Sequence, residues 1–212
     1  MAVATPIDDQ PIAASFFGEG KWLTDYVTPD ALEVQELYEG LTAGLNNLED
    51  RLSALHGWVA SEVKYVKFVR GELRVNGHLS VQNDLWQMPS QVIRTQVGNC
   101  ANKSFLLASL LRNELSAENV HCVLGNLYNG KPGGHVWIEL NLGGRDYIME
   151  STRPDVSPLV PTFATDRYEG VHLFNDKSVY NVEGRTVMTP FTACYSTWLK
   201  DYLDWAYIEG RK

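Results

Sequence analysis

Cys100, His135 and Glu150 are the residues of this 212-residue chain whose types and local settings could together make a working nucleophile. Cys100 leads into a stretch where Ala101, Phe105, Leu106, Leu107, Ala108, Leu110, Leu111 and Leu115 leave only a polar strip at Asn102, Ser109, Arg112, Asn113 and Ser116. Apolar cover around most of a helix's circumference predicts a centrally buried helix, with Cys100 at its N-terminus. A thiol there meets unpaired backbone amides and the positive end of the helix dipole, and both favour thiolate. An adjacent imidazole adds to the effect, since a thiolate–imidazolium pair brings a thiol pKa of about 8.5 down to roughly 3.5 to 7.5.

Five histidines are available to supply that ring. His135 stands at the mouth of a strand directly after the loop Asn129–Gly134, a position that leaves its imidazole at the edge of a sheet. Val136, Ile138, Leu140 and Leu142 alternate with His135, Trp137, Glu139 and Asn141, and Gly143-Gly144 marks a hairpin turn into a strand over Arg145–Thr152. With the turn centred on the two glycines, His135 faces Thr152 and Trp137 faces Glu150, so Glu150 is the diagonal neighbour of His135 on one face. A glutamate can span that diagonal, fix the imidazole tautomer and stabilise the imidazolium while the other ring nitrogen faces sulfur, which is the logic of a triad. The opposite face, with Val136, Ile138, Leu140, Tyr147 and Met149, is expected to pack as core. A slip of one residue in the turn would reverse the face of Glu150. His56, His78, His121 and His172 read as structural, and Cys122 and Cys194 as inert buried thiols.

The remaining pattern supplies the elements that must hold these residues. Residues 1–29, rich in Pro and Gly, read as an arm laid over the domain or left loose. Val34, Leu37, Leu41 and Leu45, then Leu48, Leu52 and Leu55, recur at helical spacing, and Gly40, Gly44 and Asn46-Asn47 suggest a break between two helices. Asp30 and either Asn46 or Asn47 are candidate N-caps, and the second helix is expected to continue through Trp58, Val59, Val63 and Val66. Gly71 and Gly77 punctuate a small hairpin, Trp86-Gln87-Met88-Pro89 leads into a short helix ending near Gly98, and Val120–Tyr128 reads as a strand. Short strands are expected near Val171–Phe174 and Val179–Val182. Tyr195, Trp198, Leu199, Tyr202 and Leu203 form a last amphipathic stripe, read as packing, with a homodimer contact as the alternative. The division is thus an N-terminal arm and helix over 1–47, a core over 48–185 and a C-terminal helix over 186–212.

Composition narrows the classes. A net charge of −8 opposes a nucleic-acid partner, whose phosphates call for clustered Lys and Arg. The first 17 residues carry neither a basic n-region nor a sustained apolar run, so neither a secretory signal nor a membrane span is expected, and the default location is cytoplasmic. Three cysteines leave an odd thiol however they pair, and without CxxC or HxxxH spacing no structural zinc site or other cofactor is expected.

Gly98-Asn99-Cys100 followed by the Leu-rich helix, Gly134-His135-Val136-Trp137-Ile138-Glu139-Leu140, and Tyr147-Ile148-Met149-Glu150-Ser151-Thr152 together resemble the transglutaminase-like superfamily over about residues 48–175. The segments Ala54–Val59 and Trp86–Pro89 are similar to parts of the same core. The resemblance implies a papain-like α+β fold, with the nucleophile on a helix packed against an antiparallel sheet, and N-terminal helices added here. It implies a thiol-dependent acyl transfer on a peptide or isopeptide amide, by peptidase or amidase chemistry through a thioester. Glutamine cross-linking and a non-catalytic peptide-binding module are the alternatives, since the family also contains cross-linking enzymes, peptide N-glycanases and inactive copies. Position 150 is Glu where Asp is the commoner third member. Ala101-Asn102 stand where calcium-dependent bacterial relatives carry acidic residues, so no metal requirement of that kind is expected. The Cys100 amide is the expected oxyanion donor, joined by the side chain of Gln87 or Gln96, with Gln87 favoured. Trp86 and Trp137 are candidate walls of the substrate groove, with core packing the simpler reading of Trp86.

Overall fold

The computed structural model describes residues 4–7, 22–67, 69, 71–75, 78–82, 85–129, 131–155 and 157–182. In chain order they form β1 (Ala4–Ile7), α1 (Leu32–Thr42), α2 (Leu48–Glu62), β2 (Lys64–Tyr65), β3 (Gly71–Val75), β4 (His78–Gln82), α3 (Pro89–Thr95), β5 (Val97–Gly98), α4 (Cys100–Leu111), β6 (Val120–Asn129), β7 (Lys131–Leu142), β8 (Arg145–Met149), β9 (Val160–Pro161), β10 (Tyr168–Phe174) and β11 (Val179–Val182). Seven strands make one antiparallel sheet in the order β1-β11-β10-β6-β7-β8-β9. β2 with β5 and β3 with β4 form two small separate ladders. The stripe at Tyr195–Leu203 and the whole segment 186–212 lie outside the described residues, as does Cys194.

The break between the first two helices falls at Gly44, whose φ of +76° suits a residue without a side chain. Asn47 caps α2, its side chain accepting from Asp50 N at 2.8 Å. α1 starts after Ala31 with no side-chain cap, so Asp30 does not cap it. Nor does α2 run on to Val66. Lys64–Tyr65 leave the helix to pair in parallel with Val97–Gly98, and Lys103 Nζ donates to the carbonyls of Ala60 and Val63 at 3.1 and 2.6 Å. A cation on the negative end of the helix thus satisfies carbonyls that a stopped helix leaves open.

α4 lies on β6 and β7, with α1, α2 and α3 against its other sides. Every residue from Ala101 to Leu111 is buried, including Asn102 and Ser109 of the polar strip. Their polar groups are satisfied internally: Asn102 Oδ1 accepts from Gln87 N at 2.8 Å, and Ser109 Oγ accepts from Thr28 N at 2.9 Å and donates to Phe105 O at 2.7 Å. The helix closes at Leu111, at the Leu110-Leu111-Arg112 end of the Leu-rich stretch, where Arg112 turns aside to pair with Asp176 at 2.7 Å. Residues 22–29 are more than an arm: Leu23, Tyr26 and Val27 enter the core, and Ala4–Ile7 pair with β11.

The β7–β8 ladder has the register expected around Gly143-Gly144, both glycines at positive φ, with Ile138 opposite Met149 and Leu140 opposite Tyr147. Val136, Ile138, Leu140 and Met149 fill the core face under α4, with Tyr147 half-buried. On the outer face Val123, Trp137 and Ile148 make a second buried cluster, with Tyr168 and Leu173 against it. The preceding hairpin is tighter than expected. Pairing continues to Asn129 opposite Lys131, so His135 is the fifth residue of β7 rather than its first, and Gly133 and Gly134 belong to the ladder.

Gly125, opposite His135, has no room for a side chain: a Cβ there would lie 2.2 Å from Glu169 O and 2.5 Å from the Trp137 ring. Gly133 faces open space. Urea denaturation should therefore show Gly125→Ala losing about 2 kcal/mol and Gly133→Ala changing stability by less than about 0.5 kcal/mol. Equal effects would remove the close packing inferred at Gly125.

Candidate active site

Asn99 starts α4, its side chain accepting from Asn102 N at 3.1 Å, which leaves Cys100 as the first helical residue. Gly98 is needed beside it, because a Cβ would come within 2.9 Å of Asn102 Cβ. The Cys100 sulfur is half-buried and in hydrogen-bonding contact with the imidazole of His135. Cys122, by contrast, is sealed in the core, and burial pushes its thiol well up.

His135 Nε2 meets Glu150 Oε2 at 2.8 Å, leaving Nδ1 as the ring nitrogen for sulfur. The diagonal read from the hairpin register thus joins the two side chains, although β8 itself ends one residue earlier, at Met149. An ionised carboxylate only accepts, so Nε2 carries the proton. The Glu150 carboxylate takes four hydrogen bonds: besides that from His135, Tyr168 OH gives a second to Oε2 at 3.0 Å, and Thr152 N and Oγ1 reach Oε1 at 3.0 and 2.7 Å.

The electrostatics follow from this arrangement. Burial works against the charge of His135, but the Cys100 sulfur and then Glu150 outweigh it, and the imidazolium is raised from 6.5 to about 10. Burial likewise opposes the Glu150 charge, yet His135 and Thr152 bring its carboxyl down from 4.5 to about 2. Both charged forms are favoured together, as in a mutually stabilising ion pair.

Further residues brace the site that the sequence did not single out. His56 Nε2 lies 2.8 Å from the Glu150 carbonyl; a carbonyl only accepts, so this nitrogen is protonated and donates. Ser104 Oγ donates to Val136 O at 3.0 Å, which spends its one hydrogen, so Ser151 Oγ is the donor to Ser104 at 2.9 Å. α2, α4, β7 and the end of β8 are thereby tied around Glu150. The available signal was positional: His56 shares the buried face of α2 with Leu52, Leu55 and Val59, and Lys103 is a cation inside an apolar helix, one turn past Cys100.

Gln87 lies against the first turn of α4, with Nε2 donating to Val97 O at 2.7 Å and Oε1 accepting from Thr95 at 3.0 Å. Gln96 is exposed and holds the left-handed C-cap of α3 at φ +50°. Neither tryptophan offers a groove wall. Trp86 is packed in the core with Tyr26 and Phe105 at 5.5 and 5.1 Å. Trp137 is fully buried and stacks on His135 at 6.2 Å, where it orients the ring instead of meeting a ligand.

A cysteine on a helix N-terminus, a strand histidine and an acid joined across a hairpin form the arrangement expected from the resemblance noted above. The model of the transglutaminase-like superfamily matches residues 35–149, more than half of the chain, and the protein belongs to that superfamily. Among solved structures it is similar to Legionella pneumophila LapG in EGTA-treated form, at 13% identity over 80% of this chain and 86% of that one, with a TM-score of 0.50. Calcium-bound LapG gives 13% identity over 80% and 87%, with a TM-score of 0.49. A transglutaminase structure gives 19% over 56% and 30%, with a TM-score of 0.40. At these identities the likeness concerns the fold. Comparison with curated proteins gives no match.

The paired ionisations have a signature in stability. Glu150, lowered in the fold, contributes stability that is present above pH 4.5 and lost as pH falls toward 2. His135, raised in the fold, contributes stability that is present below pH 6.5 and lost as pH rises through 10. Denaturation across pH should show Glu150→Gln with a flatter acid limb than the parent and a basic decline that starts at the same pH but is complete at lower pH. An acid limb of unchanged slope would mean that Glu150 is not ionised by its partners.

Proposed function

We propose that the protein is a cysteine peptidase or amidase that transfers the acyl group of a peptide or isopeptide substrate to Cys100 and then to water. The observation that carries this reading is the His135 ring held between the half-exposed Cys100 sulfur and the Glu150 carboxylate, 2.8 Å from Nε2. The Cys100 thiolate attacks the carbonyl carbon, and the electron pair moves to the oxygen, where the unpaired Cys100 amide at the helix N-terminus donates to it. Gln87 keeps one amide hydrogen beyond that given to Val97 and is the candidate second donor. Collapse of the tetrahedral intermediate breaks the C–N bond, and the imidazolium gives its proton to the departing amine. Neutral His135 then takes a proton from water, hydroxide attacks the thioester, and the thiolate leaves, restoring the ion pair. Glu150 holds the tautomer and the charge throughout.

This reading needs no metal. The positions after Cys100 are Ala101, Asn102 and Lys103; the Asn102 oxygen is engaged by Gln87 N, and a lysine ammonium repels a cation. Calcium chelation with EGTA should leave turnover unchanged, and a loss restored by calcium would contradict the assignment.

The central test pairs peptide-amide turnover with the pH dependence of Cys100 alkylation in the parent, His135→Ala and Cys100→Ala. The parent should react with iodoacetamide at mildly acidic pH, while His135→Ala should lose that limb and, like Cys100→Ala, at least about 1000-fold in kcat. Identical alkylation profiles in parent and His135→Ala would defeat the ion pair. Peptide binding by the parent with no turnover would favour a non-catalytic module.

A further inference from the structure

Tyr168 has no part in the three-residue chemistry, yet its hydroxyl donates at 3.0 Å to Glu150 Oε2, the oxygen that also accepts from His135 Nε2 at 2.8 Å. Its ring packs edge-on to Trp137 at 5.1 Å and leans against His135 at 6.3 Å. Trp137 in turn lies over Gly125, where a Cβ would approach its ring to 2.5 Å, so the bare glycine lets the three rings gather on one face of the sheet. Tyr168 opens β10, opposite Leu127 of β6, and reaches across that strand to a carboxylate at the end of β8.

We propose that Tyr168 is a positioning residue that sets the acidity of the His135 imidazolium by sharing the Glu150 oxygen to which His135 is bound; the proposal rests on the Cys100–His135–Glu150 reading. A donor to a carboxylate oxygen disperses its negative charge and makes it a weaker base. The shared oxygen therefore grips the imidazolium less tightly than an unshared one, and the ring releases its proton more readily to a departing amine. Burial, followed by the charge of Glu150, raises the phenol of Tyr168 well above its ordinary value, so it stays a donor at any pH where the site would operate. Other titratable or charged groups face the same carboxylate or phenol, Lys103 on α4, His56 on α2, Arg153 after β8 and Arg167 before β10, while Cys100 on α4 faces the imidazole. Removing only the Tyr168 hydroxyl leaves all of them in place.

The test is an NMR titration of the His135 imidazole nitrogens in the full chain, parent against Tyr168→Phe and against 3-fluorotyrosine incorporated at position 168. Tyr168→Phe keeps the ring contacts and should raise the His135 pKa by about 0.5, with the Nε2 proton moving downfield as its bond to the unshared oxygen tightens. Fluorotyrosine, a stronger donor of nearly the same shape, should lower the pKa and move the proton upfield; if Tyr168→Phe does not fold, this variant decides alone. A His135 pKa that Tyr168→Phe leaves unchanged or lowers, or that fluorotyrosine fails to lower, overturns the role of Tyr168. A parent His135 that titrates near its ordinary value of about 6.5 would instead remove the ion-pair reading beneath it.

Discussion

An ionised carboxylate taken out of water has to recover from its neighbours the hydrogen bonds it has lost, and Glu150 is where that requirement organises this molecule. Its two oxygens accept from His135, Tyr168 and twice from Thr152, and its backbone carbonyl accepts from His56. Those donors come from β7, β10, the turn after β8 and α2, so satisfying one side chain fixes the mutual placement of sheet and helices. The charge also gives His135 its reason to be an imidazolium, and the imidazolium is what a thiolate at Cys100 would need. Packing brings these segments near one another; the hydrogen bonds specify which atoms meet.

The central helix α4 shows the same economy from below. A helix buried on all sides normally carries no charge, because an unpaired ammonium in an apolar interior is costly. Lys103 is fully buried and nevertheless well placed, with two carbonyls at the end of α2 as acceptors and Glu150 as the nearby opposite charge. Burial brings its ammonium down to about 8, so it keeps most of its charge at neutral pH while its aliphatic stem packs beside Gly98. Its contact ends α2 and pins the first turn of α4 in one stroke. The Ser151–Ser104–Val136 relay pins the next turn to β7.

How much of this was legible in the sequence depends on whether the relevant partner is a periodic side chain or a backbone group. The β7–β8 register could be read because strand periodicity is two and Gly143-Gly144 allows a tight turn at one place, so Glu150 and His135 could be brought together by counting. The central helix was visible from its apolar circumference. Lys103 and His56 were not, since their acceptors are carbonyls about 40 and 94 positions away, which leave no mark in residue type. Tyr168 escaped because its reach depends on β10 lying beside β6, a matter of strand order rather than local pattern. Trp137 suggested a ligand wall by its position near His135, but its ring is fully buried in the smaller hydrophobic cluster with Val123 and Ile148. The glycines made Asn129–Gly134 look like a loop, yet Lys131 to Gly134 have pairing partners on β6 that keep them in the strand.

The two-glycine tip of the β7–β8 hairpin turns the sheet into a kind of ratchet. Its setting is odd or even, with nothing between: one residue gained or lost there would present Met149 or Ser151 to the imidazole and bury the acid on the helix side. As long as the turn stays two residues long, the hairpin can be lengthened without moving Glu150 only in steps of two, whereas the stretch between β8 and β9 stands outside that count.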